Sequence, residues 1–338
     1  MKFLAALLYL LAAAAQAAVG LTELPGIDGD GPVTVFHPSS GEAKPLKRGP
    51  FDLTLAWQGA PVPGNGRLIA ISHGSGGSPW VHADLARVLV DAGFVVVLPE
   101  HRGDNYKDSG TPGPESWKRR PAEVSRAIDA AARDARFAPL LRLDKVGMYG
   151  MSAGGHTALS LAGGRWSPAM LARHCATHIA LDFPACVGLA TRLSGNFLDS
   201  FKIWTALTVI GQKFSDPTWV NYSDPRVQAV VAAVPYAADF DLASLASPRV
   251  PLGLVTMGQD KWLSPRFHGE AVLKSCSTKC VSVASLPGGG HGALLSPFPP
   301  KLPEAAAELL NDPPGFDRSV LPEIDRKIAA FFRQHLLP

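Results

Sequence analysis

The sequence predicts an α/β fold, a mostly parallel, doubly wound sheet with helices on both faces. Short apolar runs alternate along the chain with stretches of helical spacing. Those runs are apolar throughout rather than at every second residue, the pattern of strands buried on both faces. The 338 residues, 46% hydrophobic and 18% charged, are enough to bury one sizeable core.

The elements follow in order. Val33 to Phe36 and Phe51 to Ala56 read as short strands separated by a loop rich in Pro, Gly and Lys. Leu68 to Ser72 is an apolar run ending at His73-Gly74-Ser75-Gly76-Gly77. Trp80 to Ala92 has helical spacing, with Val81, Leu85, Val88 and Leu89 on one side, and Gly93 stops it. Phe94 to Leu98 is a strand, and Pro121 to Ala135 a helix opened by its proline. Val146 to Tyr149 is a strand that ends at a turn around Ser152, and a helix follows from Ala153 to about Leu161. Further strands are expected at Val227 to Val234, Leu252 to Met257 and Val281 to Leu286, with a last amphipathic helix from Leu321 to Leu336.

Between residues 164 and 226 the rhythm breaks, in a stretch carrying Phe197, Phe201, Trp204, Phe214, Trp219 and Tyr222. Such an insertion belongs above the strand ends, as a small cap. Two readings of its aromatics stand side by side: they shape an apolar pocket, or they pack the cap onto the body.

The first residues have a short positive start at Lys2, an apolar run from Phe3 to Ala15, and small residues at Ala15-Gln16-Ala17. That is the layout of a secretory signal peptide over residues 1–17, leaving 18–338 as the folded domain. A retained N-terminal anchor is the alternative. Export to the periplasm or the outside is therefore expected, with no integral membrane span in the mature chain. Export also favours disulfides among Cys175, Cys186, Cys276 and Cys280, paired 175–186 and 276–280 by proximity, against free buried thiols. No C-x-x-C spacing is present, and neither a metal nor a cofactor is expected. A net charge of +3 indicates no nucleic-acid partner, and the densest basic stretch, Lys118-Arg119-Arg120, reads as a solvated face.

Gly150-Met151-Ser152-Ala153-Gly154 matches G-x-S-x-G between a strand and a helix, the context a nucleophilic serine on a sharp turn requires. A serine hydroxyl needs a base to accept its proton. His291, in the glycine-rich loop Pro287 to Gly292, is the candidate base, and His268 is the rival. His73 and His101 precede the serine. Asp260, ending the strand before that of the histidine, is the candidate orienting acid, with Asp239 and Asp241 as fallback. The backbone N–H groups of Ser75 and Ala153 are the candidate oxyanion donors. The glycine-rich loop at residues 73–77 lacks a P-loop lysine and the G-x-G-x-x-G spacing, which argues against nucleotide binding.

With these residues in hand, the chain resembles the bacterial predicted dienelactone hydrolases, relatives of the platelet-activating factor acetylhydrolases, in the α/β-hydrolase superfamily. The resemblance runs from about Val33 to Leu295. It is carried by residues 72–77, Pro99-Glu100-His101-Arg102-Gly103-Asp104, Arg120-Pro121 with Val124-Ser125, and Gly150 to Gly154. It implies an α/β-hydrolase fold with a Ser-Asp-His triad at Ser152, Asp260 and His291. It also implies an oxyanion hole at Ser75 and Ala153, and ester hydrolysis without a cofactor. True dienelactone hydrolases use a cysteine where this chain has Ser152, so ester cleavage is carried over and the dienelactone substrate is not. The expected partner is a small-molecule or lipid-like ester. A peptidase or amidase on the same triad, or a catalytically silent binding module, are the alternatives.

Overall fold

The computed structural model describes residues 17–338. Apart from Ala17, the expected signal peptide lies outside the described residues. Ten strands form one sheet: β1 (Ala18–Leu24), β2 (Val33–Ser39), β3 (Lys44–Arg48), β4 (Phe51–Trp57), β5 (Leu68–Ser72), β6 (Val95–Pro99), β7 (Val146–Met151), β8 (Val227–Ala233), β9 (Leu252–Met257) and β10 (Cys280–Leu286). Their order across the sheet is β10-β9-β8-β7-β5-β6-β2-β1-β4-β3. The run from β10 to β6 is parallel, and β2 pairs antiparallel with both β6 and β1.

Nine helices are described: α1 (Ala83–Asp91), α2 (Pro114–Arg133), α3 (Ala153–Leu161), α4 (Pro168–His178), α5 (Phe183–Val187), α6 (Asp199–Lys213), α7 (Gly269–Cys276), α8 (Glu304–Leu310) and α9 (Leu321–Leu336). The strand pleat explains why the central strands carry no polar alternation. In β5, Leu68 and Ala70 join a core with Val124 and Ile128 of α2 and Leu159 of α3. Ile69 and Ile71 join the opposite core, with Leu85 and Leu89 of α1 and Ile328 and Phe332 of α9. A strand with helices on both sides has no face left for water.

Three elements differ from expectation. β1 and β3 lie on the outer side of β2, where periodicity was too short or too polar to declare a strand; β3 is mostly exposed. α2 does not start at Pro121 but at Pro114, with Pro121 inside it. That proline forfeits a hydrogen bond to the preceding turn. The turn persists because Trp117 and Arg120 are buried and held from outside the helix. Arg120 is thus no part of a solvated face: it has no exposed surface.

The four cysteines form the bridges Cys175–Cys186 and Cys276–Cys280, and no free cysteine remains. Both are compatible with an oxidising compartment. Among the described residues no helix is long and apolar enough to cross a membrane.

Candidate active site

The parallel strands all deliver their C-terminal ends to one edge, the usual place for a site in such a sheet. Ser152 follows β7 there, with φ 58° and ψ −117°, a left-handed backbone that a serine rarely adopts. The turn is over-determined. Ser152 N–H donates to Ala233 O at 3.0 Å, and Ser152 O accepts from His156 N at 3.0 Å and Tyr236 N at 3.2 Å. Its flanking glycines are obligatory for space: a Cβ on Gly150 would strike the Gly154 carbonyl, and one on Gly154 the Ser72 carbonyl.

His291 begins a short 3₁₀ turn after β10, and Asp260 follows β9. The structure brings the three side chains into one chain of hydrogen bonds. His291 Nε2 lies 2.9 Å from Ser152 Oγ, and His291 Nδ1 lies 2.7 Å from Asp260 Oδ2. Asp260 Oδ1 accepts the N–H groups of Trp262 at 2.9 Å and Leu263 at 2.8 Å, which fixes the carboxylate. An aspartate on Nδ1 selects the tautomer with its proton there, leaving Nε2 free to accept the serine proton.

The loop after β5 passes beside the serine. A Cβ on Gly74 would stand 3.4 Å from Ser152 Cβ. Among the described residues, neither the Ser75 N–H nor the Ala153 N–H donates to another protein atom. Ala153 opens α3, so its N–H has no partner in its own helix and lies at the positive end of the helix dipole.

Behind that loop is a buried polar frame. Asp104 Oδ1 accepts from Ser75 Oγ at 2.5 Å and Gly76 N at 3.0 Å; Asp104 Oδ2 accepts from Arg120 Nη2 at 2.9 Å. Arg120 Nη1 also donates to His73 O at 2.5 Å, so the arginine holds the start of the loop as well. Burial pushes the Asp104 carboxyl up, but Arg120, Ser75 and Gly76 outweigh it and hold the group below the usual carboxylate range. His101 bonds Ser72 Oγ at 2.7 Å through Nε2 and Glu123 at 2.5 Å through Nδ1. A serine, a histidine and a carboxylate stand in line here too, with Glu123 in place of an aspartate, yet Ser72 has no exposed surface, so this second set braces the loop and cannot meet a substrate. The quoted motifs contained His101, Asp104 and Arg120, but their sequence positions carried no sign of this work.

The remaining candidates are elsewhere. His73 packs against His101, with ring centroids 4.8 Å apart, beneath the loop. Asp239 faces His156 at 3.1 Å, and Asp241 caps a 3₁₀ turn and binds Arg165. His268 is buried against Asp182 and the Ala237 N–H. His174 and Asp182, 8 residues apart, and the distant His268 place one potential ligand atom each within 4.8 Å of one another.

A cavity of about 260 Å³ opens beside Ser152 and His291. Phe51, Trp80, Tyr106, Trp262, Leu302 and Leu310 contribute to its walls, and among the described residues no Asp, Glu, Lys or Arg lines it. No residue of the 164–226 insertion lines it either, so the cap does not shape this pocket. Nor do its aromatics all pack inward. Phe197, Phe201, Trp204 and Trp219 are exposed; for Phe201 and Trp204 this follows from α6, of which only Ile210 is buried. The wall that one of the two readings gave to the insertion comes instead from the region of α8, whose Leu310 faces the cavity while Glu308 pairs with Arg192 of the insertion at 2.7 Å. The short run Glu304 to Leu310, with its alanines and leucines, was the one sequence signal for that wall.

Neither protein-family models nor curated proteins give a match to the chain.

Proposed function

We propose that the protein is an exported serine hydrolase of the α/β-hydrolase fold that cleaves uncharged carboxylic esters. The fold assignment draws on the resemblance to the predicted dienelactone hydrolases and platelet-activating factor acetylhydrolases. The single observation that carries the reading is the series of two hydrogen bonds from Ser152 through His291 to Asp260 at the mouth of an apolar cavity.

Ser152 Oγ attacks the ester carbonyl carbon while His291 Nε2 takes the hydroxyl proton. The carbonyl oxygen becomes an oxyanion and is met by the Ser75 and Ala153 N–H groups. Asp260 keeps the imidazole oriented and stabilises the imidazolium. Collapse of the intermediate breaks the ester C–O bond, and His291 returns the proton to the departing alcohol. A water molecule, deprotonated by His291, then attacks the acyl-enzyme and releases the acid with Ser152 restored. Each step uses only these side chains, the two backbone N–H groups, the substrate and water. The uncharged cavity wall supports an apolar acyl or alcohol portion, because a buried charge without a partner would be strongly disfavoured there.

A fluorophosphonate probe tests the reading. The wild type is expected to label and the Ser152→Ala variant to stay unlabelled; no labelling of the wild type, or equal labelling of both, ends it. Rates on p-nitrophenyl esters of rising chain length against a p-nitroanilide then separate an esterase from an amidase on the same residues.

A further inference from the structure

The insertion sends one carboxylate into the body of the molecule. Asp182 precedes α5 and is 2% exposed; the Cys175–Cys186 bridge closes the chain around it. Its Oδ1 accepts the Ser264 N–H at 3.0 Å. Its Oδ2 meets His268 Nε2 at 2.9 Å and His174 Nε2 at 2.8 Å. Two of these partners belong to segments that carry the candidate active site. Ser264 lies in the loop of Asp260, next to Leu263, whose N–H helps hold the Asp260 carboxylate. His268 Nδ1 accepts the Ala237 N–H at 3.0 Å, and the neighbouring Tyr236 N–H donates to Ser152 O at 3.2 Å. One anion therefore touches the supports of both the acid and the nucleophile. Burial opposes its charge, but the His174 and His268 donors hold its carboxyl at about 2.

The same three side chains are close enough to invite a divalent cation. The protonation of His268 argues for hydrogen bonds instead. Its Nδ1 is committed as acceptor of a backbone N–H, so the ring proton sits on Nε2 and points at Asp182. Coordination through Nε2 would strip the ring of its last proton or leave the Ala237 N–H buried without a partner.

We propose that Asp182 is a positioning residue for the ester hydrolysis argued above, setting the Asp260 loop and the Ser152 backbone in register from the insertion. The inference rests on that reading of the site. It makes the insertion part of the machinery through a hydrogen-bond relay, although it contributes nothing to the cavity wall.

The test uses the full chain and the Asp182→Asn variant, which keeps the shape but replaces one of the two acceptor oxygens, facing either the histidines or the Ser264 N–H, with an NH2 donor. Kinetics on a p-nitrophenyl ester are paired with the low-field proton resonance of the His291–Asp260 hydrogen bond, assigned by its loss in His291→Ala. Expected are a fall in kcat of about 10- to 100-fold with KM changed less than about twofold. The low-field resonance shifts or broadens, and the acid limb of kcat/KM moves to lower pH, because a loosely held carboxylate stabilises the imidazolium less. Should that variant fail to fold, Ser264→Pro removes only one N–H at a residue whose φ of −54° suits proline, and the same changes are expected. A folded variant with lowered melting temperature but unchanged kcat, pH limb and resonance would make Asp182 a mere brace and overturn the proposal. Stoichiometric metal that is lost with Asp182→Asn would overturn it as well. The resonance is read without turnover, so a wild type that neither labels nor hydrolyses sinks the esterase reading separately.

Discussion

Asp104 and Arg120 form an ion pair at 2.9 Å in which neither side chain has any exposed surface, directly behind the loop of Ser75. An isolated charge at that depth is strongly disfavoured, so each partner depends on the other. Because the pair also holds Ser75, Gly76 and His73, its removal acts on the candidate oxyanion donor as well as on stability.

Arg120→Met is expected to lower unfolding free energy by about 3–5 kcal/mol, since it leaves Asp104 buried without its cation. Denaturant titration checks this. Asp104→Asn, which weakens the hold on Ser75, is expected to reduce kcat toward esters by about tenfold or more at little change in KM. The folded-state value of Asp104 is depressed. Its stabilisation is therefore present above the unfolded carboxyl value and is lost as pH falls through the folded one. Acid unfolding should begin at higher pH in Arg120→Met.

Asp325 of α9 works in the opposite direction. Burial, with the neighbouring Asp84 carboxylate, raises its carboxyl to about 7. A raised acid holds its proton in the folded state after the unfolded chain has released it. Stability from this group is complete below the unfolded value near ~3.9 and is lost as pH rises through the folded value. The loss is on the order of 4 kcal/mol by pH 8. Asp325→Asn should raise the melting temperature at pH 8 and change it little at pH 4, as thermal melts in the two buffers would show.

Leu310→Ala lengthens the cavity on the side of α8. Each additional buried methylene contributes about 0.8 kcal/mol, so the best p-nitrophenyl ester should become longer, with kcat/KM for the longer chain rising relative to the shorter. The matching substitution Phe201→Ala in the insertion should leave that preference alone, because Phe201 lies outside the cavity and is exposed.

The two disulfides should differ in worth. Cys175–Cys186 closes a separation of 11 residues, and Cys276–Cys280 one of 4. Removing the first by paired alanines is expected to cost about 2–4 kcal/mol, and the second less, as the smaller loop restricts the unfolded chain less. Melting curves of the two double variants rank them. Loss of the first should also loosen Asp182 and lower kcat.

What the sequence declared was whatever local chemistry repeats. Runs such as Val95 to Leu98 and Leu68 to Ser72 announced buried parallel strands, and the Ser152 turn announced itself because only glycine fits at 150 and 154. His291 and Asp260 could be chosen because strand ends in such a sheet share one edge, and they do lie in hydrogen-bond sequence with Ser152. Strand β3, exposed and polar, had no such signal. Pro121 misled, because a local rule about helix starts was overridden by the burial of Trp117 and Arg120.

By itself, then, the sequence determined the layered α/β architecture and the identity of the three side chains in the Ser152 relay, since both follow from periodicity and backbone sterics. Only the tertiary structure decided which wall the cavity has, what stands behind Ser75, and that Asp182 reaches Ser264 and His268. The physical reason is that these are hydrogen bonds and contacts between segments far apart in the chain. Their partners are selected by how layers dock, and no local pattern of residues encodes that.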